Sequence, residues 1–282
     1  MDTAGSYQSF CRAFDASGAY ETPGGRTGWL SRRVAAAATV AYHLRVLGVL
    51  LAGSHAVKAG RWNGALWAEM AWRVLHAAER SGGHFIIGGF SVLREHPGPV
   101  VMVANHMSAL ETLVLTALTG RAKPASFVIK ESLERHSLLG GVLRRERAIG
   151  VTRSQPREDL KRVLTQGVAL LKEGRSVMIF PQHTRSRGFD VSAFNTLGVK
   201  LAQRAAVCAV PIALKTDFLQ TGRLVRDFGP VRPERVIRFA CGKPVAVGRR
   251  VRPAHGQVVG FIAGRLRDWG VAVTGAAAEP EA

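Results

Sequence analysis

The stretch that decides the fold is PVVMVANHMSALET, residues 99–112. It begins with an unbroken apolar run over 99–104, which is typical of a strand buried on both faces. A helical pattern over 108–119 follows almost at once. An apolar run followed by a helical pattern is the building unit of an α/β domain with a largely parallel sheet.

The same order recurs along the rest of the chain. Further apolar runs that resemble buried strands occur at 125–129, 175–180, 207–214 and 236–240. Helical patterns occur at 156–173, 195–205 and 255–269. We therefore predict an α/β fold in which a largely parallel central sheet is flanked by helices.

Two helical patterns precede this region, at 34–53 and 62–80. The first is long enough to cross a bilayer, but it is rich in alanine and carries Arg45 near its middle, which costs about 2.5–3.5 kcal/mol on insertion scales. Its larger apolar residues share one face: Val40, Leu44, Leu47 and Leu51. These features favour an interfacial helix over a membrane span, with packing on the protein's own core as an equal alternative. The tryptophans of the second pattern, at 62, 67 and 72, suit either a lipid headgroup zone or a core.

These patterns predict four regions. We expect a flexible leader over 1–28, an N-terminal helical, membrane-associating region over 29–82, the α/β domain over 83–272 and a disordered tail over 273–282. The N-terminus lacks a signal-peptide pattern, and the three cysteines are far apart, which favours a reducing, cytoplasmic setting. Arg32 and Arg33, just before the apolar run, agree with attachment to the cytoplasmic face of a membrane.

Charge predicts the kind of partner. The 282 residues include 39 Lys and Arg against 20 Asp and Glu, a net charge of +19. Such an excess favours polyanions: nucleic acid, an anionic bilayer or an acidic carrier of substrate. Because no nucleic-acid-binding motif is present, we expect no nucleic acid.

Two residues after the first strand have the types needed for proton transfer. His106 suits a general base, and Glu111 suits a carboxylate that orients the ring and stabilises its charged form. The spacing also fits a capping box, S-x-x-E from Ser108, in which Glu111 reaches back to the helix start. Spacing alone leaves both interpretations open.

A second polar cluster follows the strand predicted at 175–180. The loop QHTRSR, residues 182–187, places guanidinium groups and hydroxyls where ligands usually bind in α/β sheets. Such a loop suits a phosphate group. The alternative is an ordinary exposed loop whose arginines are solvated.

The two clusters together resemble the motifs of the glycerolipid acyltransferase family, which includes 1-acylglycerol-3-phosphate O-acyltransferases. The family shows N-H-x-x-x-x-D and then F-P-E-G-T-R-S, which match residues 105–111 and 180–186. Weaker matches occur in the family's order at 130–140, 149–153 and 210–212, so that the resemblance spans roughly residues 85–245.

The resemblance implies roles for particular residues. His106 and Glu111 would be catalytic, and the substrate-binding residues would be Arg185, Thr184, Arg153, Lys130, Ser186 and Gln182. The donor would be acyl-CoA or acylated carrier protein, the acceptor a lysophospholipid, and the reaction would need neither cofactor nor metal. An anionic membrane surface would be a further partner, with the protein bound peripherally or monotopically.

Each of the two motifs departs from the family pattern. Glu111 replaces the usual Asp, and Gln182-His183 replaces the Glu-Gly of the second motif. Because that glutamate belongs to acceptor binding in the family, an acyltransferase acting on an aminoacyl-lipid or a glycolipid is one alternative. A basic membrane- or nucleic-acid-binding protein without catalysis is another.

Overall fold

A mixed sheet with a parallel centre organises the chain. The computed structural model describes residues 6–24, 32–182, 184–222 and 226–275. The strands are β1 Tyr20–Glu21, β2 Phe85–Gly88, β3 Val101–Ala104, β4 Ala125–Lys130, β5 Ile149–Val151, β6 Ser176–Ile179, β7 Phe189–Asp190, β8 Ala209–Lys215, β9 Ile237–Cys241 and β10 Val273–Thr274. The main sheet has the order β1-β2-β9-β8-β3-β6-β4-β5, and β7 pairs separately with β10.

Helices cover both faces of this sheet. They are α1 Tyr7–Ser17, α2 Arg32–Lys58, α3 Gly64–Glu79, α4 Ser91–Glu95, α5 Leu110–Thr119, α6 Gly140–Arg145, α7 Pro156–Lys172, α8 Leu197–Ala205 and α9 Val251–Asp268, with a 3₁₀ turn at Glu131–Arg135. One layer contains α1, α2, α3 and α5, and the other contains α7, α8 and α9. The sequence of β3 is continuously apolar because both faces of the strand are buried. Met102 and Ala104 face the first layer, while Val101 and Val103 face the second.

The chain reverses its winding between β3 and β6. These strands pair in parallel, with Val101 opposite Val177. From β3 the chain continues into α5 of the first layer, whereas from β6 it continues through β7 into α8 of the second. Such a switch point leaves a crevice beyond the carboxyl ends of the two strands. The predicted α/β fold with a largely parallel sheet is confirmed, with β8–β9 and β1–β2 as antiparallel pairs.

The N-terminal segment is folded where a flexible leader was expected. Helix α1 buries Phe10, Cys11 and Phe14 in the core shared with the sheet. Its N-cap is Ser6, whose side chain accepts a hydrogen bond from the Ser9 amide. Strand β1 then pairs with β2. The prediction for 1–28 is therefore wrong over residues 7–21, because the aromatic residues of α1 bury an apolar face; residues 1–5 and 25–31 lie outside the described ranges.

The segment predicted as a disordered tail starts with an ordered strand. Val273 and Thr274 form β10 against β7, so an ordered strand occupies the start of the segment expected to be disordered. Residues 276–282 lie outside the described ranges. The described part of the helical region predicted at 29–82 packs on the same core as the sheet, so its buried apolar residues do not form a separate core.

Helix α2 packs on the core with one face and exposes another, so that each of the two alternatives, core packing and an exposed apolar face, holds for part of the helix. Tyr42 and Val46 are buried against the core, and Arg45 donates a hydrogen bond to the Ser81 hydroxyl (3.1 Å). The predicted apolar face is exposed instead: Val40 59%, Leu44 63%, Leu47 38% and Leu51 51%. The segment Ala35–Lys58 is long and apolar enough to cross a membrane, and only 11% of its most apolar stretch is buried. The side chains of Arg32 and Arg33 lie outside the described part.

Candidate active site

Asn105 fixes the turn that carries His106. Its side chain is buried, donates to the Leu214 carbonyl (2.8 Å) and accepts from the Leu214 amide (2.8 Å). This pair of bonds ties the end of β3 to the neighbouring strand β8. Sequence reasoning assigned Asn105 no such task, although a buried amide after an apolar strand is a signal for a paired polar group.

Glu111 holds the ring of His106. Its Oε1 atom lies 2.9 Å from His106 Nδ1, so Nδ1–H donates to the carboxylate when the ring carries a proton there. The same carboxylate accepts hydrogen bonds from the amides of Met107 (2.6 Å) and Ser108 (2.8 Å). One side chain therefore both caps the start of α5 and orients the histidine, and the two interpretations of the spacing hold together.

The carboxylate of Glu111 is fully buried, yet it is stabilised in its charged form. The hydroxyls of Ser108 (2.8 Å) and Thr216 (2.5 Å) also donate to it. Burial alone raises the pKa of Glu111, but the hydrogen bond and charge of His106, with the Thr216 hydroxyl and the Ser108 amide, more than offset this and leave the pKa below its ordinary value. Thr216 was missed by sequence reasoning, because it lies 105 residues away in the chain and follows β8.

The loop after β6 is bonded directly to the histidine. The Gln182 side-chain oxygen accepts from the His106 amide (2.6 Å), and the Ser186 amide donates to the His106 carbonyl (3.0 Å). The ring of Phe180 packs 4.6 Å from the imidazole. The second motif thus lies against the first; His183 is outside the described residues.

Two arginines from elsewhere in the chain, Arg153 and Arg226, lie near Arg185 of this loop. Arg153 adopts a positive φ of 65°, and Asp159 holds that turn by accepting from the amides of Thr152 (2.8 Å) and Arg153 (2.7 Å). Although Arg153 is exposed as a whole, partial desolvation of its guanidinium lowers its pKa, and the positive charges of Arg185 and Arg226 add to this. Arg226 was not singled out from the sequence. Three neighbouring guanidinium groups favour an anion at this position.

One cavity of about 710 Å³ joins the histidine to the arginines. His106, Gln182, Thr184 and Arg185 line it, together with Arg153 and Lys130. Ser186 is not among the lining residues and contributes its amide to His106 instead. The ring of His106 is largely buried, but it reaches the cavity, and its Nε2 atom makes no hydrogen bond to the described part of the chain.

The opposite side of the cavity is apolar. It is formed by residues of α2, α3, α5 and β4 and by Trp62 from the connection between α2 and α3. The residues from the four elements include Leu50, Trp67, Met70, Leu113 and Phe127. Trp67 packs edge-on against Phe127, with ring centroids 5.7 Å apart. Trp62 donates through its indole to Glu146 (2.8 Å). Trp62 and Trp67 therefore line the cavity, and Trp72 packs against Tyr7 and His76, so all three half-buried rings make contacts within the protein.

A family comparison accounts for this arrangement. Residues 91–215 match the Acyltransferase family model. This segment belongs to the acyltransferase family. The matched acyltransferase segment contains β3, β6 and β8, and with them His106, Glu111 and Arg185, and the family resemblance of the motifs is confirmed.

Individual relatives carry a more specific name. The chain is 36% identical over 115 residues to a 1-acyl-sn-glycerol-3-phosphate acyltransferase of Pseudomonas aeruginosa, covering 41% of this chain and 44% of that protein. It is 30% identical over 136 residues to a probable 1-acyl-sn-glycerol-3-phosphate acyltransferase of Mycoplasma genitalium, covering 46% and 50%. The matched segments thus span about half the length of these relatives or less.

The fold extends further than the sequence match. The crystal structure of the 1-acyl-sn-glycerophosphate acyltransferase of Thermotoga maritima superposes with a TM-score of 0.64, covering 87% of this chain and 100% of that one at 15% identity. At this identity the similarity concerns the fold alone.

Proposed function

We propose that this acyltransferase-family protein moves a fatty acyl group from a thioester donor to the hydroxyl of a lysophospholipid such as 1-acylglycerol-3-phosphate. The observation that carries the proposal is the single cavity that contains both His106 and the arginine-bearing loop. One small molecule can therefore place a hydroxyl on the histidine and a phosphate on the arginines. The names of the relatives agree with this acceptor.

His106 acts as the general base. Its Nε2 atom takes the proton of the acceptor hydroxyl as that oxygen attacks the thioester carbonyl, and Glu111 stabilises the imidazolium through Nδ1. The tetrahedral intermediate then expels the thiolate, which recovers the proton from His106. General base catalysis of this kind contributes ~10²–10⁴-fold to the rate.

The acyl group passes directly between the two substrates. No cysteine lines the cavity in the described part of the chain. Burial raises the pKa of the Cys11 and Cys241 thiols, which keeps them protonated and weakly nucleophilic. These thiols therefore do not serve as acyl carriers.

The two sides of the cavity divide the substrate between them. The acceptor phosphate binds Arg185 and Arg153, with Thr184 and Lys130 beside it and Gln182 holding the His106 backbone. The apolar side receives a hydrocarbon chain, because burying each methylene gains about 0.8 kcal/mol. Either acyl-CoA or acylated carrier protein serves as donor, since both are anionic and the chain carries +19.

The protein works at a membrane, which it meets through α2. The exposed face of Val40, Leu44, Leu47 and Leu51 suits the acyl boundary of a bilayer, and the net charge suits anionic headgroups. We propose peripheral or monotopic attachment at the cytoplasmic face. Replacing Leu44 and Leu51 by Gln is expected to release the protein from anionic vesicles in a flotation assay without lowering its unfolding midpoint; unchanged flotation would contradict this attachment.

The direct test is acyl transfer by the purified full chain in lipid vesicles. With lysophosphatidic acid and either donor, phosphatidic acid is expected to form with the wild-type protein and to fall at least ~100-fold with His106→Ala. His136→Ala is the matched control, since His136 is exposed and outside the cavity. Equal turnover by the His106→Ala and wild-type proteins would refute the mechanism.

The acceptor is tested in the same assay. The alternative acceptors, an aminoacyl-lipid or a glycolipid, rest on the presence of Gln182 where the family has a glutamate. The Gln182 oxygen accepts from the His106 amide, a contact that a glutamate oxygen makes equally well, and this favours the lysophospholipid. Turnover of a hydroxy-lipid panel without turnover of lysophosphatidic acid would reverse that choice.

A further inference from the structure

The segment 226–231 connects the loop after β6, through Arg185 and Thr184, to helix α2, and we call this segment the strap. At one end, the Arg185 guanidinium donates to the Asp227 carboxylate in a close ion pair. Beside it, Arg226 Nη2 donates to Thr184 Oγ1 (3.4 Å). Arg226 and Asp227 both line the cavity that contains His106. Neither belongs to the motifs that matched the family.

The other end of the strap is fixed to α2. His43 Nε2 lies 2.8 Å from the Gly229 carbonyl, and the Val231 amide donates to Thr39 Oγ1 (3.1 Å). The ring of Phe228 packs 5.1 Å from that of His43. A side chain at Gly229 would collide with the Gln220 carbonyl oxygen. The contacts at both ends therefore fix the position of the strap and hold Arg226 and Asp227 at the cavity.

We propose that Arg226 is a third phosphate-binding residue, and that Asp227 occupies Arg185 until the acceptor phosphate displaces it. This inference rests on the proposed function, because it assigns the acceptor's phosphate to the cavity. It also names the headgroup class: a phosphomonoester, with a charge of about −2 when fully ionised, gains more from three guanidinium groups than a singly charged phosphodiester does.

The two strap residues have different expected signatures. Coulomb energy is proportional to ligand charge, so the doubly charged phosphomonoester loses about twice the binding free energy that the phosphodiester loses on Arg226→Gln. Because doubling a free energy squares the fold-change, a loss of about threefold in phosphodiester affinity corresponds to about tenfold for the phosphomonoester. Asp227 must leave before either ligand binds, so that Asp227→Asn improves both affinities by the same factor. A half-exposed ion pair sets that factor at about twofold to fivefold.

The experiment compares the KM for lysophosphatidic acid with the KM for lysophosphatidylglycerol, using the full chain in vesicles. The pH is about 8, where the phosphomonoester is fully ionised. Arg226→Gln is expected to raise the KM for lysophosphatidic acid by about tenfold and the KM for lysophosphatidylglycerol by about threefold. Asp227→Asn is expected to lower both KM values equally. The matched controls are Arg267→Gln and Asp268→Asn, at two exposed neighbouring residues in the last turn of α9 and outside the cavity.

Acyl-CoA also carries a phosphomonoester, so donor KM is measured in parallel. A change in donor KM with unchanged acceptor KM would overturn the assignment to the acceptor. Binding of glycerol 3-phosphate and of glycerophosphoglycerol to the same proteins is measured by calorimetry, which needs no turnover. The expected binding pattern without turnover would refute the proposed function alone. Turnover with wild-type KM values in both strap variants, matching the controls, would refute the strap's role alone.

Discussion

The substitution Glu111→Gln separates the two tasks of that residue. The amide oxygen can still accept from the Met107 and Ser108 amides, so the start of α5 keeps its cap. What disappears is the negative charge beside His106, whose Nδ1 atom lies 2.9 Å from the carboxylate oxygen. We therefore expect the start of α5 to keep its structure and catalysis to change strongly.

The size of the catalytic loss follows from Coulomb's law. Two unit charges about 4 Å apart attract by about 4 kcal/mol at an effective dielectric constant of about 20. His106 gains the acceptor's proton as the hydroxyl oxygen attacks, so the carboxylate stabilises the charge that forms in the transition state. The loss therefore appears in kcat and amounts to about 10³-fold. The transfer of labelled acyl groups to lysophosphatidic acid under saturating substrates measures it, alongside urea unfolding of the same samples.

Glu111→Asp is the matched control, since it keeps the charge but shortens the reach by one methylene. Its kcat is expected to lie between those of the wild-type and Glu111→Gln proteins. Carboxylate–histidine pairs in catalytic triads lose about 10⁴-fold in kcat when the carboxylate becomes an amide. A Glu111→Gln enzyme within about threefold of wild-type kcat would fall far short of that loss and would reduce the carboxylate to a helix cap.

Three further substitutions and one pH measurement test the site and its supports. Asn105→Ala leaves an amide and a carbonyl of β8 unpaired in the core and is expected to lower the free energy of unfolding by about 2–5 kcal/mol in urea titrations. Asp159→Ala releases the turn of Arg153, and is expected to raise acceptor KM about fivefold with kcat nearly unchanged, as steady-state kinetics would reveal. Ala71→Trp fills part of the apolar side of the cavity and is expected to shift donor preference to shorter acyl chains in competition assays, whereas an unchanged product profile would place the chain elsewhere. The pKa of Glu111 in the folded protein lies below its ordinary value of 4.5, so the charged carboxylate contributes to stability above about pH 4.5, and this contribution is lost as the pH falls through the folded pKa. Glu111→Gln is therefore expected to make the free energy of unfolding depend less on pH in the acid range, as urea titrations at several pH values would show.

Local patterns predicted the central strands well. The runs that became β3, β4, β6, β8 and β9 are buried on one or both faces, so their composition is continuously or alternately apolar. Strands β2 and β5 were missed because each contains a glycine, Gly88 and Gly150, which leaves no apolar run longer than three residues within the strand. Helix α1 was missed because its apolar face is short and is flanked by small polar residues.

The orientation of α2 shows a different limit. The sequence correctly grouped Val40, Leu44, Leu47 and Leu51 on one face, but periodicity does not tell which face meets the protein. Tyr42 and Val46, on another face, made that contact. The packing of α2 against the core thus left the predicted face outward, where it is available to lipid.

Residue types and their order in the sequence by themselves determined the fold class, the histidine with its carboxylate, and two of the three arginines. These features are local: a strand and the loop after it are written in consecutive residues. Only the tertiary structure decided that Thr216 completes the shell of Glu111 and that the strap brings Arg226 and Asp227 to the cavity. Those partners are 42 to 105 residues apart, and contacts over such separations depend on how the strands are ordered in the sheet, which no local pattern encodes.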